Sequence, residues 1–385
     1  MKATDKAKIG IVGTGFIGDG LKKTIAFLPD LSVSRILTQR GLDSFPGEQV
    51  YTNSVDELIE ESDLVVECNG DAIYATEVLS QVLDAGIPVV TMDAELHITS
   101  GSYLSTKGLI TEAEGDQPGA LAALGKGLAS IGFVPLVYGN LKGFLNYNPT
   151  VEDMQYWAKF QGISLEQVTE STDGTKVQVE QALIANGMGA VIGKQGMHGL
   201  ESEDIYKDSK VLASYAKQKG MPISDYLLRK PQAKGWFPAG VFITAEYDQG
   251  QASVLKYLKL GEGPFYTLVK NYHLCHLEIP NTIRQVLQGE GVLLDNSMQP
   301  SASVCVIAKQ DLKPGLQIKR ANRSFLVRGE ALCIKDAMNH LPLGLTCDLV
   351  VRRPIKAGQM IELDDVDLPD SRAYQGWLFT RSLVK

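Results

Sequence analysis

The sequence is poor in cysteine and has no long apolar segment. Its five cysteines are odd in number, widely spaced and form no Cys-X-X-Cys pair, which argues against a disulfide framework and against a structural zinc site. No apolar run reaches the ~18 residues that a helix needs to cross a bilayer. The residues before Lys8 also lack the apolar core of a signal peptide. We therefore expect a cytoplasmic protein with no membrane partner.

Basic residues are outnumbered as well. The chain has 37 Lys and Arg against 45 Asp and Glu, for a formal net charge of -8. A nucleic-acid-binding surface needs a clustered basic face, so we expect a small-molecule substrate instead. With 385 residues, of which 44% are hydrophobic, the chain exceeds one ordinary core and predicts two or three domains.

A glycine-rich turn near the N-terminus lies between a predicted strand and a predicted helix. Residues 8–13 have the pattern of a buried strand, and apolar residues recur at helical spacing as far as Leu28. Glycines in this position permit a tight turn and let the backbone approach a pyrophosphate, which the helix N-terminus also favours. The predicted cofactor-binding residues are Gly13, Gly15, Phe16, Ile17 and Gly18, with Asn69 and Gly70 after a later strand.

The end of the second predicted strand bears on the choice of cofactor. NAD-selective domains usually place an acidic residue there to bond the ribose 2′-hydroxyl, but this chain has Thr38-Gln39-Arg40. Arg40 could pair with a 2′-phosphate through its planar guanidinium. The sequence therefore favours NADP over NAD, the alternative being that Arg40 is a solvated surface residue.

Alternating strands and helices continue to about residue 125. This rhythm predicts an α/β fold with a doubly wound parallel sheet of the Rossmann type in residues 1–125. We expect an α+β substrate and dimerisation domain in residues 126–300. A weak internal echo, between residues 311–318 and 354–361, predicts a small all-β domain and a C-terminal tail in residues 301–385.

Polar residues cluster at the carboxyl ends of the predicted parallel strands, the edge at which such sheets bind ligands. The densest group is residues 112–119, which includes Glu114, Asp116 and Gln117. A solvated acidic loop is the alternative for that group. Residues 273–278 hold His273, His276 and Glu278, which could bind a metal, although on a strand the two histidines would face opposite sides.

Four motifs carry a resemblance to a known family: Gly115-Asp116-Gln117-Pro118-Gly119, Gly139-Asn140-Leu141-Lys142-Gly143, Asp173-Gly174-Thr175-Lys176 and Gly196-Met197-His198-Gly199. The chain resembles homoserine-dehydrogenase-like oxidoreductases with a C-terminal SAF domain, among them enzymes like 1-deoxy-D-xylulose 5-phosphate reductoisomerase. Homoserine dehydrogenases usually have Asn-Lys where this chain has Asp93-Ala94. The resemblance therefore favours the reductoisomerase-like branch, with β-clip architecture for the SAF domain.

The resemblance implies a site in which a carbonyl is reduced by NADPH. Lys142 and Lys176 would stabilise the alkoxide, and partial desolvation could lower a lysine pKa enough for proton donation. Asp116 and Asp173 are the further catalytic candidates, while Glu114, Gln117, His198 and Glu180 are predicted to bind substrate. Asp116, Asp173 and Glu180 could alternatively orient the lysines or hold Mg²⁺ or Mn²⁺, and His198 could instead shuttle protons or be a core histidine.

Two other functions stay open from the sequence. One is a dehydrogenase of the homoserine type, acting on an amino-acid-like alcohol. The other is a sensor or scaffold that binds NADP without catalysis. We expect a homodimer or higher homo-oligomer in each case.

Overall fold

The first sheet consists of six parallel strands near the N-terminus. The computed structural model describes residues 6–320 and 324–384. The strands are β1 (Ala7–Val12), β2 (Leu31–Leu37), β3 (Tyr51–Thr52), β4 (Leu64–Glu67), β5 (Val89–Thr91) and β6 (Ile110–Glu112). Their spatial order is β3-β2-β1-β4-β5-β6, the doubly wound order that places a ligand at the strands' carboxyl ends.

Helices cover both faces of this sheet because the strands are apolar on both sides. They are α1 (Phe16–Ala26), α2 (Val55–Glu60), α3 (Ala72–Asp84), α4 (Ala94–Leu96) and α5 (Ser102–Leu104), the last two joined by a π-helical turn at His97–Gly101. The Asp71 side chain begins α3 by accepting hydrogen bonds from the amides of Ile73 and Tyr74. The sheet and helices confirm the predicted Rossmann domain.

A second, mixed sheet forms the centre of the molecule. Its strands are β7 (Val134–Lys142), β8 (Val191–Ile192), β9 (Leu200–Ser202), β10 (Ile223–Arg229), β11 (Val241–Glu246) and β12 (Phe265–Lys270). The order is β12-β11-β7-β10-β8, with β9 also paired to β10. Strands β7, β8 and β10 are parallel, whereas β11 and β12 are antiparallel.

Seven helices follow in this part of the chain: α6 (Gln117–Ser130), α7 (Val151–Gln161), α8 (Leu165–Thr172), α9 (Thr175–Gly187), α10 (Ile205–Lys219), α11 (Ala252–Tyr257) and α12 (Ile279–Leu287). Helix α9 lies between the second sheet and the C-terminal strands, and almost every residue in it is buried. Its buried Gln181 amide donates hydrogen bonds to the carbonyls of Tyr138 and Asp225. These bonds fix α9 against β7 and β10, which positions the side chains of its first two turns.

The C-terminal strands form two small antiparallel sheets, as the internal echo predicts. They are β13 (Ala302–Ala308), β14 (Gln317–Arg320), β15 (Val327–Cys333), β16 (Cys347–Val351) and β17 (Val366–Asp367), followed by α13 (Arg372–Ser382). The two echo segments pair with each other, since Leu312 and Ile355 exchange both backbone hydrogen bonds, at 2.8 and 3.0 Å.

Two helices from later parts of the chain pack against the first domain. Helix α12 packs Ile279 and Ile283 against Ile9 and Ile11 of the first sheet. Helix α13 contacts α3, α5 and the π-helical turn, and buries Trp377 completely. An apolar helix face predicts burial but does not name its partner. No helix of the described residues is long and apolar enough to cross a membrane.

Candidate active site

The glycine turn has the shape that a dinucleotide requires. Gly13 adopts a positive φ of 115°, which allows the tight turn after β1. A Cβ on Gly18 would lie 2.3 Å from the Gly13 carbonyl oxygen, so glycine lets α1 pack closely against the turn. A Cβ on Gly15 would meet no atom within 4 Å, which leaves open space in front of the N-terminus of α1. These residues fit a bound pyrophosphate.

The end of β2 lies beside this turn. The hydroxyls of Thr14 and Thr38 are 3.4 Å apart, and the Arg40 amide donates to the Thr38 hydroxyl at 3.2 Å. The Asn53 amide holds the same segment by donating to the Arg40 carbonyl at 3.0 Å. The Arg40 side chain is exposed and makes no ion pair within residues 6–320 and 324–384. It is therefore accessible to a ligand.

Four charged side chains come together where α6 and α9 begin and β7 ends. The Lys176 ammonium lies 2.9 Å from Asp116 Oδ2 and 3.4 Å from Glu180 Oε1. The Lys142 ammonium lies 3.3 Å from Glu180 Oε2. The Asn140 side chain donates a hydrogen bond to Glu180 Oε2 at 2.7 Å. The Gln117 side-chain nitrogen donates to the carboxylates of Asp116 and Glu180. We call Asp116, Lys142, Lys176 and Glu180 the charged quartet.

The two carboxylates of the quartet hold Lys176 in its charged form. Burial alone would lower the pKa of Lys176, but Asp116 and Glu180 raise it well above the ordinary value. Burial alone would raise the pKa of Asp116. The nearby Lys176 ammonium has the opposite effect, and the pKa of Asp116 lies below its ordinary value. The expectation that desolvation would lower a lysine pKa is thus wrong for Lys176. Its ammonium can stabilise a developing oxyanion at neutral pH.

One segment connects the quartet with the cofactor side of the molecule. The Cys275 amide donates to the Gly115 carbonyl at 2.8 Å, and a Cβ on Gly115, whose φ is 130°, would lie 2.2 Å from the Cys275 carbonyl oxygen. The adjacent His276 ring packs edge-on against Phe16 at 5.7 Å. Residues 275–277 therefore span from the turn before Asp116 to the first turn of α1.

The same segment is anchored by a buried lysine. Lys270 lies 2.8 Å from Glu114 Oε1 and 2.7 Å from Glu278 Oε1. Glu114 was predicted to bind substrate, and in the structure its carboxylate has a cationic partner in Lys270. The segment Cys275–Leu277 is a short 3-10 helix.

Two family models match the sequence. Residues 13–107 match the NAD binding domain of homoserine dehydrogenase, and residues 115–279 match the catalytic domain of oxidoreductase DRL. The second match begins at Gly115, in the turn before Asp116, and it covers all four residues of the charged quartet. The chain is an oxidoreductase with a domain for a nicotinamide cofactor.

Similar solved structures include several dehydrogenases. A homoserine dehydrogenase from Thiobacillus denitrificans is 12% identical with a TM-score of 0.45, over 94% of this chain and 99% of that one. A homoserine dehydrogenase from S. aureus is 14% identical with a TM-score of 0.41, over 86% and 93%. The scyllo-inositol dehydrogenase from Lactobacillus casei is 13% identical with a TM-score of 0.42, over 76% and 92%. No curated protein matches the sequence.

The oxidoreductase also buries acidic residues at the carboxyl ends of its first-sheet strands. Glu67 ends β4 and Glu112 ends β6, and both are almost completely buried. Glu67 accepts hydrogen bonds from the Asn69 amide and the Thr91 hydroxyl, each at 2.6 Å. Burial and the charge of Asp93 raise the pKa of Glu67 to about 8. Glu67 is therefore mostly protonated at neutral pH, which keeps the floor of the cofactor side nearly neutral.

A buried histidine lies next to this acidic floor. His97 is in the π-helical turn, 3.7 Å from Glu112, and burial lowers its pKa to about 3. Its two ring nitrogens and Glu112 Oε2 have no hydrogen-bond partner among the described residues. Burial also raises the pKa of Glu112 well above its usual value. Burial therefore disfavours the charged form of both groups.

The Glu67 carboxyl predicts a pH dependence of stability. Its pKa of about 8 in the folded protein exceeds the ordinary value of 4.5, so its contribution to stability is complete below pH 4.5 and is lost as the pH rises through about 8. Glu67→Gln keeps the hydrogen-bonding shape without this titration. We expect Tm to fall less steeply between about pH 6.5 and pH 8 in this variant than in the unsubstituted protein.

Thermal unfolding at several pH values measures this effect. Glu60→Gln, on the exposed side of α2, is the matched control and should leave the slope unchanged. Parallel Tm-versus-pH curves for Glu67→Gln and the unsubstituted protein would contradict the assigned titration.

Asp173 does not join the charged quartet, although its motif is close to Lys176 in sequence. Its Oδ2 lies 2.6 Å from the ammonium of Lys309, in the C-terminal β region, and its Oδ1 accepts a hydrogen bond from the Thr175 amide. The carboxylate is fully buried. Both oxygens of Asp173 therefore bind groups of the protein at the start of α9. This position does not fit the catalytic role that the resemblance implies for Asp173.

His198 lies on the far side of the second sheet from the quartet. Its Nδ1 is 2.6 Å from Asp225 Oδ2, and its ring stacks on Tyr215 with centroids 4.8 Å apart. In the register of strands β10 and β7, Asp225 lies opposite Gly139, and the next residue, Tyr226, lies opposite Asn140. Because alternate strand residues face opposite sides, Asp225 and the Asn140 that bonds Glu180 point in opposite directions. This position does not fit the predicted substrate contact of His198.

The carboxylates do not form a metal site. Asp116 and Glu180 both have lysine partners, Asp173 pairs with Lys309, and Glu278 pairs with Lys270. The described residues contain no group of three His, Cys, Asp or Glu side chains placed to hold a metal ion. The residues present do not fit the Mg²⁺ or Mn²⁺ that the sequence left open, and we derive no step through a metal.

Several residues of the site were not predicted from the sequence. Glu67 and Glu112 are the last residues of β4 and β6, and an acid beside a buried apolar run is a signal that the sequence offered, because acids are rare in such strands. Asn140 lies inside a quoted motif without an assigned role. Lys270 and Lys309 had no sequence signal, since each meets its carboxylate only through the fold.

Proposed function

We propose that this protein uses NADPH to reduce the carbonyl group of a small polyhydroxylated compound at the charged quartet. The observation that carries the proposal is the Lys176 ammonium held between Asp116 and Glu180, at the carboxyl edge of the sheet that carries the glycine turn. An edge of this kind is the usual ligand site of a doubly wound sheet. The match to an oxidoreductase catalytic domain covers these residues.

Reduction of a carbonyl group by hydride places negative charge on the carbonyl oxygen. A nicotinamide held beside the glycine turn would supply the hydride for such a reduction. Lys176 and Lys142 can then stabilise that oxygen, because their ammonium groups are fixed in place by Glu180 and Asp116 before the reaction. The carboxylates raise the pKa of Lys176 and favour its charged form, so its role is to stabilise the alkoxide, which takes its proton from water.

The Asp116 carboxylate suits a hydroxyl group of a substrate. Asp116 keeps a lone pair that can accept a hydrogen bond from a hydroxyl donor, whereas the buried Glu180 already has four donor partners on its two oxygens. The finer assignment, reductoisomerisation of 1-deoxy-D-xylulose 5-phosphate, rests on the family resemblance of the sequence motifs. The homoserine-type alternative has one observation in its favour, the match of residues 13–107.

Cofactor oxidation by the purified protein tests the proposal. NADPH is followed with 1-deoxy-D-xylulose 5-phosphate in one series and with aspartate semialdehyde in another, each beside the Lys176→Met variant. Oxidation with the first compound supports the reductoisomerase-like assignment, and oxidation with the second supports the homoserine type. Tight NADPH binding without oxidation by any carbonyl compound would overturn the proposal in favour of a sensor or scaffold.

We also propose that Arg40 selects NADPH. Arg40→Ala should weaken NADPH binding by about 10- to 100-fold, because a charge-assisted hydrogen bond to a phosphate is lost. NADH lacks the 2′-phosphate, so its binding should change little. Titration of both cofactors by fluorescence measures the two Kd values, and equal losses for the two would contradict the assigned role.

A further inference from the structure

A buried ion pair joins the C-terminal β region to the helix that carries Lys176. Lys309 follows β13, and its ammonium lies 2.6 Å from Asp173 Oδ2. The Lys309 side chain is only 4% exposed and that of Asp173 is 0% exposed. The same ammonium donates to the Ser324 carbonyl at 2.6 Å. Such a pair is sensitive to the loss of one partner, because the remaining charge is left buried and uncompensated.

Asp173 is placed to control the first turn of α9. It ends α8, and only Gly174, at a φ of 84°, separates it from the first residue of α9. Asp173 Oδ1 accepts a hydrogen bond from the Thr175 amide at 2.9 Å. The carboxylate therefore fixes one of the amides that an α-helix leaves unpaired at its N-terminus. Lys176 is the next residue along the chain.

Two further contacts tie the same turn to β15. The Gly329 amide donates to the Thr175 hydroxyl at 3.0 Å, and the Ala331 amide donates to Gln178 Oε1 at 2.8 Å. Thr175 and Gln178 are three residues apart and share one face of the helix, whereas Lys176 and Glu180 share another. Helix α9 thus presents one face to the C-terminal region and the other to the charged quartet.

We propose that Lys309 is a positioning residue, which fixes the first turn of α9 through Asp173 and so sets the position of the Lys176 ammonium. The C-terminal β region is then a part of the catalytic unit and not an independent appendage. Lys309 acts through Asp173 and α9, and it makes no contact with the quartet. The inference rests on the proposed function for its kinetic effect, but its structural effect is independent of any substrate.

The Lys309→Met variant tests the kinetic effect. Methionine keeps an unbranched apolar stem and removes the charge. We expect kcat to fall by about 10- to 100-fold, since displacement of a catalytic group by about 1 Å has effects of that size. KM for NADPH should stay unchanged, because the glycine turn is in another domain. A fall in Tm with kcat unchanged in the folded protein would overturn the proposal and leave a purely structural role.

Two companion variants keep the test decisive. In Lys309→Met/Asp173→Asn neither charge is left unpaired, so this protein should fold even where the single variant does not. It should regain part of the lost kcat. Lys356→Met, in the same C-terminal region, removes a lysine whose pair with Asp311 is exposed (78% and 59%), and it should leave kcat unchanged. Equal kcat losses for Lys356→Met and Lys309→Met would contradict a specific role of Lys309.

Hydrogen–deuterium exchange separates this inference from the proposed function. Lys309→Met should speed amide exchange in residues 174–180 by about tenfold while leaving that of α1 unchanged. This result is expected whether or not a substrate is known. If the unsubstituted protein reduces no carbonyl compound but the exchange effect is present, the proposed function fails and the positioning effect stands. Unchanged exchange in residues 174–180 would overturn the inference.

Discussion

Lys176→Met should lower kcat/KM by about 10²- to 10³-fold, the usual effect of removing one group that stabilises a developing oxyanion. The Lys176 ammonium is held between two carboxylates, at 2.9 and 3.4 Å. Methionine keeps much of the side-chain volume but leaves no positive charge at that point. Steady-state kinetics with NADPH and the substrate that the screen identifies measure this loss.

The same variant should also change the pH profile. Lys176 lowers the pKa of Asp116. Without the Lys176 ammonium, Asp116 should become protonated at a higher pH than in the unsubstituted protein. The control is Lys126→Met, an exposed lysine on α6, which should keep full activity. Undiminished turnover by Lys176→Met with normal NADPH binding would remove Lys176 from the mechanism.

Gly119→Ala should destabilise the protein and impair the site together. A Cβ on Gly119 would lie 1.9 Å from the Ala113 carbonyl oxygen and 2.9 Å from the Cα of Glu114. Both are backbone atoms of the turn that carries Glu114 and Asp116, so the turn or the start of α6 must shift. Overpacking of this kind costs about 2 kcal/mol. We expect Tm to fall by several degrees and kcat to fall with it.

The same helix supplies the control for this prediction. Gly127 also lies in α6, and a Cβ there would meet no atom within 4 Å. Gly127→Ala should be neutral or stabilise the protein by about 0.5 to 1 kcal/mol, because alanine favours a helix over glycine. Differential scanning calorimetry compares the two variants directly. A similar Tm for both would show that the close approach at Gly119 does not constrain the turn.

Together the two variants separate charge from geometry at the quartet. Lys176→Met removes a charge and leaves the backbone in place, whereas Gly119→Ala moves the backbone of Asp116 and leaves every charge present. Loss of activity in both would indicate that the oxyanion site depends on a preset arrangement of charges.

The sequence by itself determined the first domain. The apolar strands, the glycine turn and the capping Asp71 act over short stretches of chain, and local patterns of this kind predict local structure. Lys142, Lys176 and Asp116 were also identified from the sequence, through motifs, and Glu180 was named beside them as a substrate ligand. The four side chains lie together in the structure.

Only the tertiary structure decided how these charges act. Lys176 has a raised pKa because two carboxylates from different elements surround it, and Asp173 is committed to Lys309, 136 residues further along the chain. His198 faces away because the register of β10 sets its partner, Asp225, on the other side of the sheet. Pairings over such separations depend on packing and strand register, which a local pattern does not specify.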